Sequence, residues 1–353
     1  MESILKKLVS LPGPCGYEHA VIRYLKERLE PIADECWVDG IGNLIVTKHG
    51  GHEDPTLVLS ARTDEVGFIV KKIEANGLIR FEKLGGHDDR ILLSEQVIIN
   101  TAKGPLPAVI GTISAHMLKF DNPGQVRKHT ELYIDAGAAD SEEATRMGIR
   151  IGDFITWATP YTPAGEHRAY GHGFDDRCGC ALLASALEQI DFSKVYGTVH
   201  FVFSVQEEVG LRGARTAAHQ LNADVAIALD TTAVSNTPEA MMDGALGLGR
   251  GAGIKVMDSS MTASPVVWKK LRELAESGSI PYQLEIFTGI GTDAGELHMS
   301  HGGVPASVIS VPSRYAHSSV EMIDLNDYAA CLDLLKAFIL DMRSAQDYAF
   351  LSN

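Results

Sequence analysis

The sequence predicts an α/β domain built on a mostly parallel sheet covered by helices, with a β-rich segment inserted into it. Three observations carry this expectation. Apolar strand-length runs alternate with amphipathic helical stretches over residues 1–67 and 163–353, as in parallel sheets whose strands are joined by helices. Between residues 68 and 162, short strands follow one another directly, separated by Gly, Pro and Asp turns. Acidic or imidazole residues stand where the apolar runs end, which is where open α/β sheets place their ligands.

Taken in order, residues 16–34 carry Val21, Leu25 and Leu29 along one helical face. A strand T-L-V-L-S-A follows at 56–61. The inserted segment opens with a hairpin turning at Asn76-Gly77, the strongest short hairpin signal. It continues with the strands Q-V-I-I-N-T, A-V-I-G-T-I, E-L-Y-I-D-A and F-I-T-W-A-T, and only Asp140 to Met147 reads as helix. Beyond it come a helix from Cys180 to Ile190 and a strand running to Glu207. A second strand, A-D-V-A-I-A-L-D, ends at Asp230, and a helix spans Pro265 to Glu276. A strand at 305–312 and a helix from Leu325 to about Met342 complete the pattern.

With 353 residues, 45% hydrophobic and 22% charged, the composition is that of a globular protein. A net charge of −15 argues against a nucleic-acid or anionic-membrane partner. The N-terminus shows no signal-peptide-like apolar stretch, and no run approaches membrane-spanning length. Five scattered cysteines are expected to be reduced thiols of a cytoplasmic protein. Cys178 and Cys180 are expected to open a buried helix rather than bind metal.

The chemistry concentrates at Glu207 and Glu208, adjacent carboxylates closing the run V-H-F-V-F-S-V-Q-E-E-V-G. Carboxylates are rarely buried unless paired or metal-bound. One of two neighbours can hold a metal while the other takes a proton from the water that the metal activates. Asp64, Asp175, Asp230 and His317 stand at comparable strand ends. Taken singly, each is as readily a helix cap, a turn Asp or a structural His. Oxygen-rich ligation with one imidazole suits zinc, cobalt or manganese, so hydrolysis by a metal-activated water is the expected reaction. His172 is a candidate for the site wall, whereas His87 and His116 in the insertion are not expected to be ligands. The glycine-rich stretch 244–253 opens no clear βαβ unit and, like Thr288 to Ala294, is expected to wall or cover a cleft.

Several motifs recur in a characteristic order. They are L-P-G-P-C-G-Y-E, D-G-I-G-N-L at 39–44, D-E-V-G, F-D-D-R, Q-E-E-V-G-L-R-G-A, T-D-A-G at 292–295 and V-P-S-R-Y-A-H-S-S-V-E. On these motifs the chain resembles the tetrahedral (TET-type) and glutamyl aminopeptidases, metallopeptidase family 42 of the zinc exopeptidases, over nearly its whole length. The resemblance implies a zinc-exopeptidase-like fold and hydrolysis of short peptides from the N-terminus with a divalent metal, zinc or cobalt. It implies Glu207 as general base and Asp175 as the bridge between two ions. Glu208 and His317 would complete one ion's shell, Asp230 would belong to the other, and Asp64 would orient its neighbours. Thr292 and Asp293 would contact substrate. The insertion would be a dimerisation domain, in proteins that commonly form dodecamers from dimers.

One position departs from the pattern. The family's alanine-histidine-x-aspartate motif reads A-R-T-D here, with Arg62 in place of a metal-ligating His. Guanidinium has no lone pair to offer and is permanently charged. It is expected either to fill the second ion's place as a salt-bridging cation or to swing out into solvent, leaving one or two ions per chain. A mononuclear hydrolase of an anionic or acylated amide, or a silent ligand-binding homologue, stands beside the peptidase reading.

Overall fold

A computed structural model describes residues 1–351 apart from 121, 123, 235 and 239–245. After α1 (Glu2–Val9) and α2 (His19–Leu29) come β1 (Glu35–Val38), β2 (Leu44–His49) and β3 (Thr56–Arg62). The helix expected over 16–34 stops at Leu29, where a short 3₁₀ turn containing Pro31 takes over. Proline lacks the N–H that would continue the ladder. α1 was not expected from the sequence, although Ile4, Leu5, Leu8 and Val9 form its buried face.

The insertion is a closed barrel of β4 (Gly67–Ile73), β5 (Ile79–Leu84), β6 (Gln96–Thr101), β7 (Gly104–Ile110), β8 (Ile134–Asp135) and β9 (Phe154–Trp157). Alternate residues such as Phe68, Val70, Ile79, Phe81, Val97 and Ile99 fill its own core, as period-2 strands require. The β4–β5 hairpin turns at Asn76-Gly77, with Gly77 at φ 81°. α3 (Ser141–Met147) is capped by Asp140, which accepts from Glu143 N–H, and ends at Gly148 in the left-handed region.

The chain then adds β10 (Thr162–Ala164), β11 (Arg168–Gly171), α4 (Phe174–Gln189), β12 (Thr198–Ser204), α5 (Arg212–Gln220) and β13 (Val225–Ala233). It closes with β14 (Ala252–Met257), α6 (Pro265–Ser277), β15 (Tyr282–Ile286), α7 (Ala294–Leu297), β16 (Ala306–Arg314), β17 (Glu321–Asp324) and α8 (Leu325–Asp341). Among the described residues the main sheet runs β1-β2-β12-β3-β13-β16-β17-β11-β10, with β14 pairing β16 and β15. Its centre, β12, β3, β13 and β16, is parallel; β2 and β17 flank it antiparallel.

Two strand ends differ from expectation. β12 stops at Ser204, because Val205 N–H donates to the Asn43 side chain instead of to a neighbouring strand. β13 runs past Asp230 to Ala233, because β16 stays alongside it from Ala306 to Ser313. α4 starts at Phe174, earlier than expected, and buries Cys178 and Cys180 completely. All five cysteines are free thiols. No described helix is long and apolar enough to cross a membrane.

Candidate active site

β3 is central in the sheet, so its C-terminal end meets the ends of β12 and β13 and the kinked start of α4. Arg62 is the last residue of β3, with only 3% of its side chain exposed. Nη2 lies 2.5 Å from Asp175 Oδ1 and 2.8 Å from Glu208 Oε1. Nε faces Glu207 Oε2 at 3.4 Å and Asp230 Oδ1 at 3.7 Å. Nη1 donates to the backbone carbonyls of Asp64 and Asp175 at 3.0 and 3.3 Å. The guanidinium therefore stands inside a ring of four carboxylates, and the alternative of a solvent-swung side chain does not hold. Two or more buried carboxylates without a cation would be costly, and Arg62 supplies the cation.

His317 is three residues beyond β16 at φ 61°. Its Nε2 is 3.1 Å from Glu208 Oε1 and 3.2 Å from Asp175 Oδ2. Its Nδ1 lies 3.0 Å from the carbonyl of Gly86, in the loop after β5. A donor bond from Nδ1 to that carbonyl orients the ring and leaves Nε2 to ligate. One candidate atom each from Asp175, Glu208 and His317 lies within 4.8 Å of the other two. Glu208 Oε1 is buried, 2.8 Å from Nη2 of Arg62 and 3.1 Å from Nε2 of His317. Two carboxylates and one imidazole fit one divalent cation. Asp230 stands on the other flank of the guanidinium, outside that triad, and accepts from Thr231 N–H at 2.8 Å. The Arg62 guanidinium lies between Asp175 and Asp230.

These side chains line a cavity of about 650 Å³, walled by Leu211, Phe287 and Ile290. Burial pushes the Glu207 carboxyl well above its ordinary range, Arg62 opposing and Asp230 and Glu208 reinforcing. A carboxyl so placed is suited to take up and return a proton. Asp175 goes the other way: despite burial, Arg62 and His317 hold it well below the usual range.

Asp64 is fully buried, and its Oδ2 accepts from Glu208 N–H at 3.0 Å. It fixes the backbone of Glu208. Thr292 and Asp293 require a correction. Both are buried: Thr292 donates to Asp258 at 3.2 Å, and Asp293 Oδ2 accepts from Ser60 and Ser204 at 2.6 Å each. They pin the loop beneath the cavity, and Gly289, Ile290 and Gly291 face the cavity instead. In the glycine-rich stretch, 244 and 245 lie outside the described residues. The N–H groups of Gly247, Gly249 and Gly251 serve Gln283 and Asp327 rather than a cleft wall. His172 is turned to Glu65 at 2.8 Å and lines a different cavity. His87 stacks on Phe68 in the barrel, ring centroids 4.5 Å apart.

Further buried acids near the site, Glu18 among them, were not foreseen from the sequence. Glu321 accepts from Asp175 N–H at 3.0 Å and from His317 N–H at 3.2 Å, bracing two ligand candidates at once. Glu65 gathers Gly13 N–H, His172 and Arg177. The available signal was an acid within or beside an apolar strand, which burial must compensate.

Burial and the neighbouring Asp175 push Glu321 up to about 8, and burial and Asp64 push Glu18 to about 7, from an ordinary 4.5. Against burial, hydrogen bonds to Asp175 and Glu208 raise His317 from 6.5 to about 11. A group with a raised folded value stabilises fully below its unfolded value and loses that contribution as pH rises through the folded one. Metal-stripped protein is therefore expected to lose stability between pH 6.5 and 8, with Glu321→Gln showing a flatter slope. Urea unfolding at both values checks this, and a rise in stability would contradict it.

Residues 42–334 match the model of the family described as M42 glutamyl aminopeptidase. The lysyl aminopeptidase of Pyrococcus furiosus is 33% identical, with 96% of this chain and 97% of that protein aligned. Aminopeptidase APDkam598 from Desulfurococcus kamchatkensis superposes at TM-score 0.94 with 35% identity, covering 99% and 97% of the two chains. The Pyrococcus horikoshii TET1 peptidase superposes at 0.88 with 33% identity, covering 97% and 99%, and assembles into a tetrahedron or a large octahedral shell. Fold, ligand candidates and full-length similarity agree: this chain belongs to the M42 glutamyl aminopeptidase family.

Proposed function

We propose that the chain is a metal-dependent aminopeptidase-type hydrolase of short peptides that holds one divalent cation, zinc or cobalt, and keeps Arg62 in place of a second. The observation that carries this is the buried guanidinium, 2.5 Å from Asp175 and 2.8 Å from Glu208. Asp175, Glu208 and His317 would hold the cation, which when bound supplies Lewis acidity and a water of lowered pKa. Glu207 removes the proton from the attacking water and returns it to the leaving amine. Asp64 and Glu321 keep the ligands aimed. Arg62 supplies a fixed positive charge beside Asp175 and Glu207.

The same charge favours a second reading, an amide carrying an anionic or acyl group next to the scissile bond. Arg62 Nε is buried and without a hydrogen-bond partner, a donor that an incoming anionic oxygen could use. Turnover of a panel of free and N-blocked peptide amides, with stripped and with zinc- or cobalt-reconstituted protein, separates the readings. Metal-dependent cleavage of free peptides supports the first, and cleavage of blocked or acidic amides alone supports the second. No turnover of any substrate by loaded protein would indicate a silent ligand-binding homologue. We also propose a cytoplasmic homo-oligomer paired through the barrel and extendable to a dodecamer. The free thiols and the assembly of the Pyrococcus horikoshii relative support that reading.

A further inference from the structure

The segment carrying the base leaves β12 in an unfavourable conformation. Gln206, immediately before Glu207, has φ 55°, in the left-handed region that costs a non-glycine residue free energy unless its surroundings hold it there. Side chains from three distant parts of the chain hold this backbone. Asn43 Oδ1 accepts from Val205 N–H, Glu18 Oε1 from Gln206 N–H and Asp64 Oδ2 from Glu208 N–H, each at 3.0 Å. The Gln206 carbonyl is tied in turn by Arg212 N–H at 3.2 Å.

Among these, Glu18 grips the strained residue itself. It is 4% exposed, and the same Oε1 accepts from Gly16 N–H at 2.8 Å, joining the segment to the turn before α2. The L-P-G-P-C-G-Y-E motif, which contributes no ligand or base, thus reaches the base-bearing segment through its last residue.

We propose that Glu18 is a positioning residue for Glu207: by holding Gln206 in the left-handed conformation it aims the Glu207 carboxylate into the cavity. The inference rests on the reading of Glu207 as the base. Glu18→Ala removes the acceptor, Glu18→Asp withdraws it by one methylene, and Glu18→Gln keeps an oxygen in reach. Steady-state kinetics, bound metal and hydrogen exchange of the peptide containing Gln206 are measured on metal-loaded protein.

Glu18→Ala and Glu18→Asp are expected to lower kcat about a hundredfold, the cost of displacing a reacting group by about 1 Å, with KM and bound metal unchanged. Glu18→Gln restores most of that loss, and exchange at Gln206 rises in the first two variants only. Should Glu18→Ala fail to fold, Glu18→Asp carries the test. Wild-type kcat in Glu18→Asp, or a kcat loss that tracks lost metal, overturns the inference. If the wild type cleaves nothing, the functional reading falls, yet exchange still decides the clamp: unchanged protection at Gln206 in Glu18→Ala overturns it.

Discussion

Glu207→Gln is expected to lower kcat by about 10²–10⁴-fold, the range that a positioned general base contributes. The substitution keeps the shape of the side chain and removes its ability to take a proton. Glu207 is absent from the ligand triad of Asp175, Glu208 and His317, so bound metal is expected to stay at the wild-type level. Burial, Asp230 and Glu208 favour the uncharged carboxyl against the pull of Arg62, so the neutral isostere is expected to leave stability about unchanged. Kinetics and elemental analysis on the same preparation check both halves. A variant with wild-type turnover would remove Glu207 from the reaction, and one that loses the ion in step with activity would make it a ligand instead.

Changing Arg62 is expected to have the largest effect on stability. Arg62→Ala leaves Asp175, Glu208, Glu207 and Asp230 facing one another without their guanidinium. Removing one partner of a buried ion pair costs about 3–5 kcal/mol, so stripped Arg62→Ala protein should unfold at distinctly lower denaturant. Divalent metal should recover much of the loss, since an ion that binds only the folded state stabilises it by mass action. Arg62→His is the complementary change. An imidazole offers a lone pair where guanidinium cannot, so bound metal should rise from one ion per chain towards two, and turnover of unblocked peptides should increase. Unchanged metal content and activity in Arg62→His would show that the second place is closed for another reason.

How far the sequence foretold this site depends on what each residue needed in order to be read. Glu207, Glu208, Asp175, Asp230 and His317 lie near one another at the ends of neighbouring parallel strands, although Asp230 is inside β13 and Glu207 follows β12 by three residues. Arg62 was legible as a departure, but its place among the carboxylates needed the tertiary packing. Thr292 and Asp293 were misplaced because nothing local shows which face a short turn presents, and Ser60 and Ser204 draw Asp293 under the sheet. Glu321 and Glu18 were not picked out because an acid near a strand end or helix start resembles a solvated cap. Only burial at 1% and 4% exposure reveals their work. Among the elements, the barrel showed through its alternation and turns, and α3 through its caps. α1 did not, since eight residues carry little periodicity. β14 follows a glycine-rich stretch that masks its onset.

In the proposed reading Arg62 takes the place of one of two metal ions. The most direct test strips the wild-type protein with chelator, reconstitutes it with excess zinc or cobalt, removes loosely held metal and measures the remainder by elemental analysis. One ion per chain is predicted, held by Asp175, Glu208 and His317; two per chain, the number a two-metal centre needs, would show that Arg62 displaces no ion.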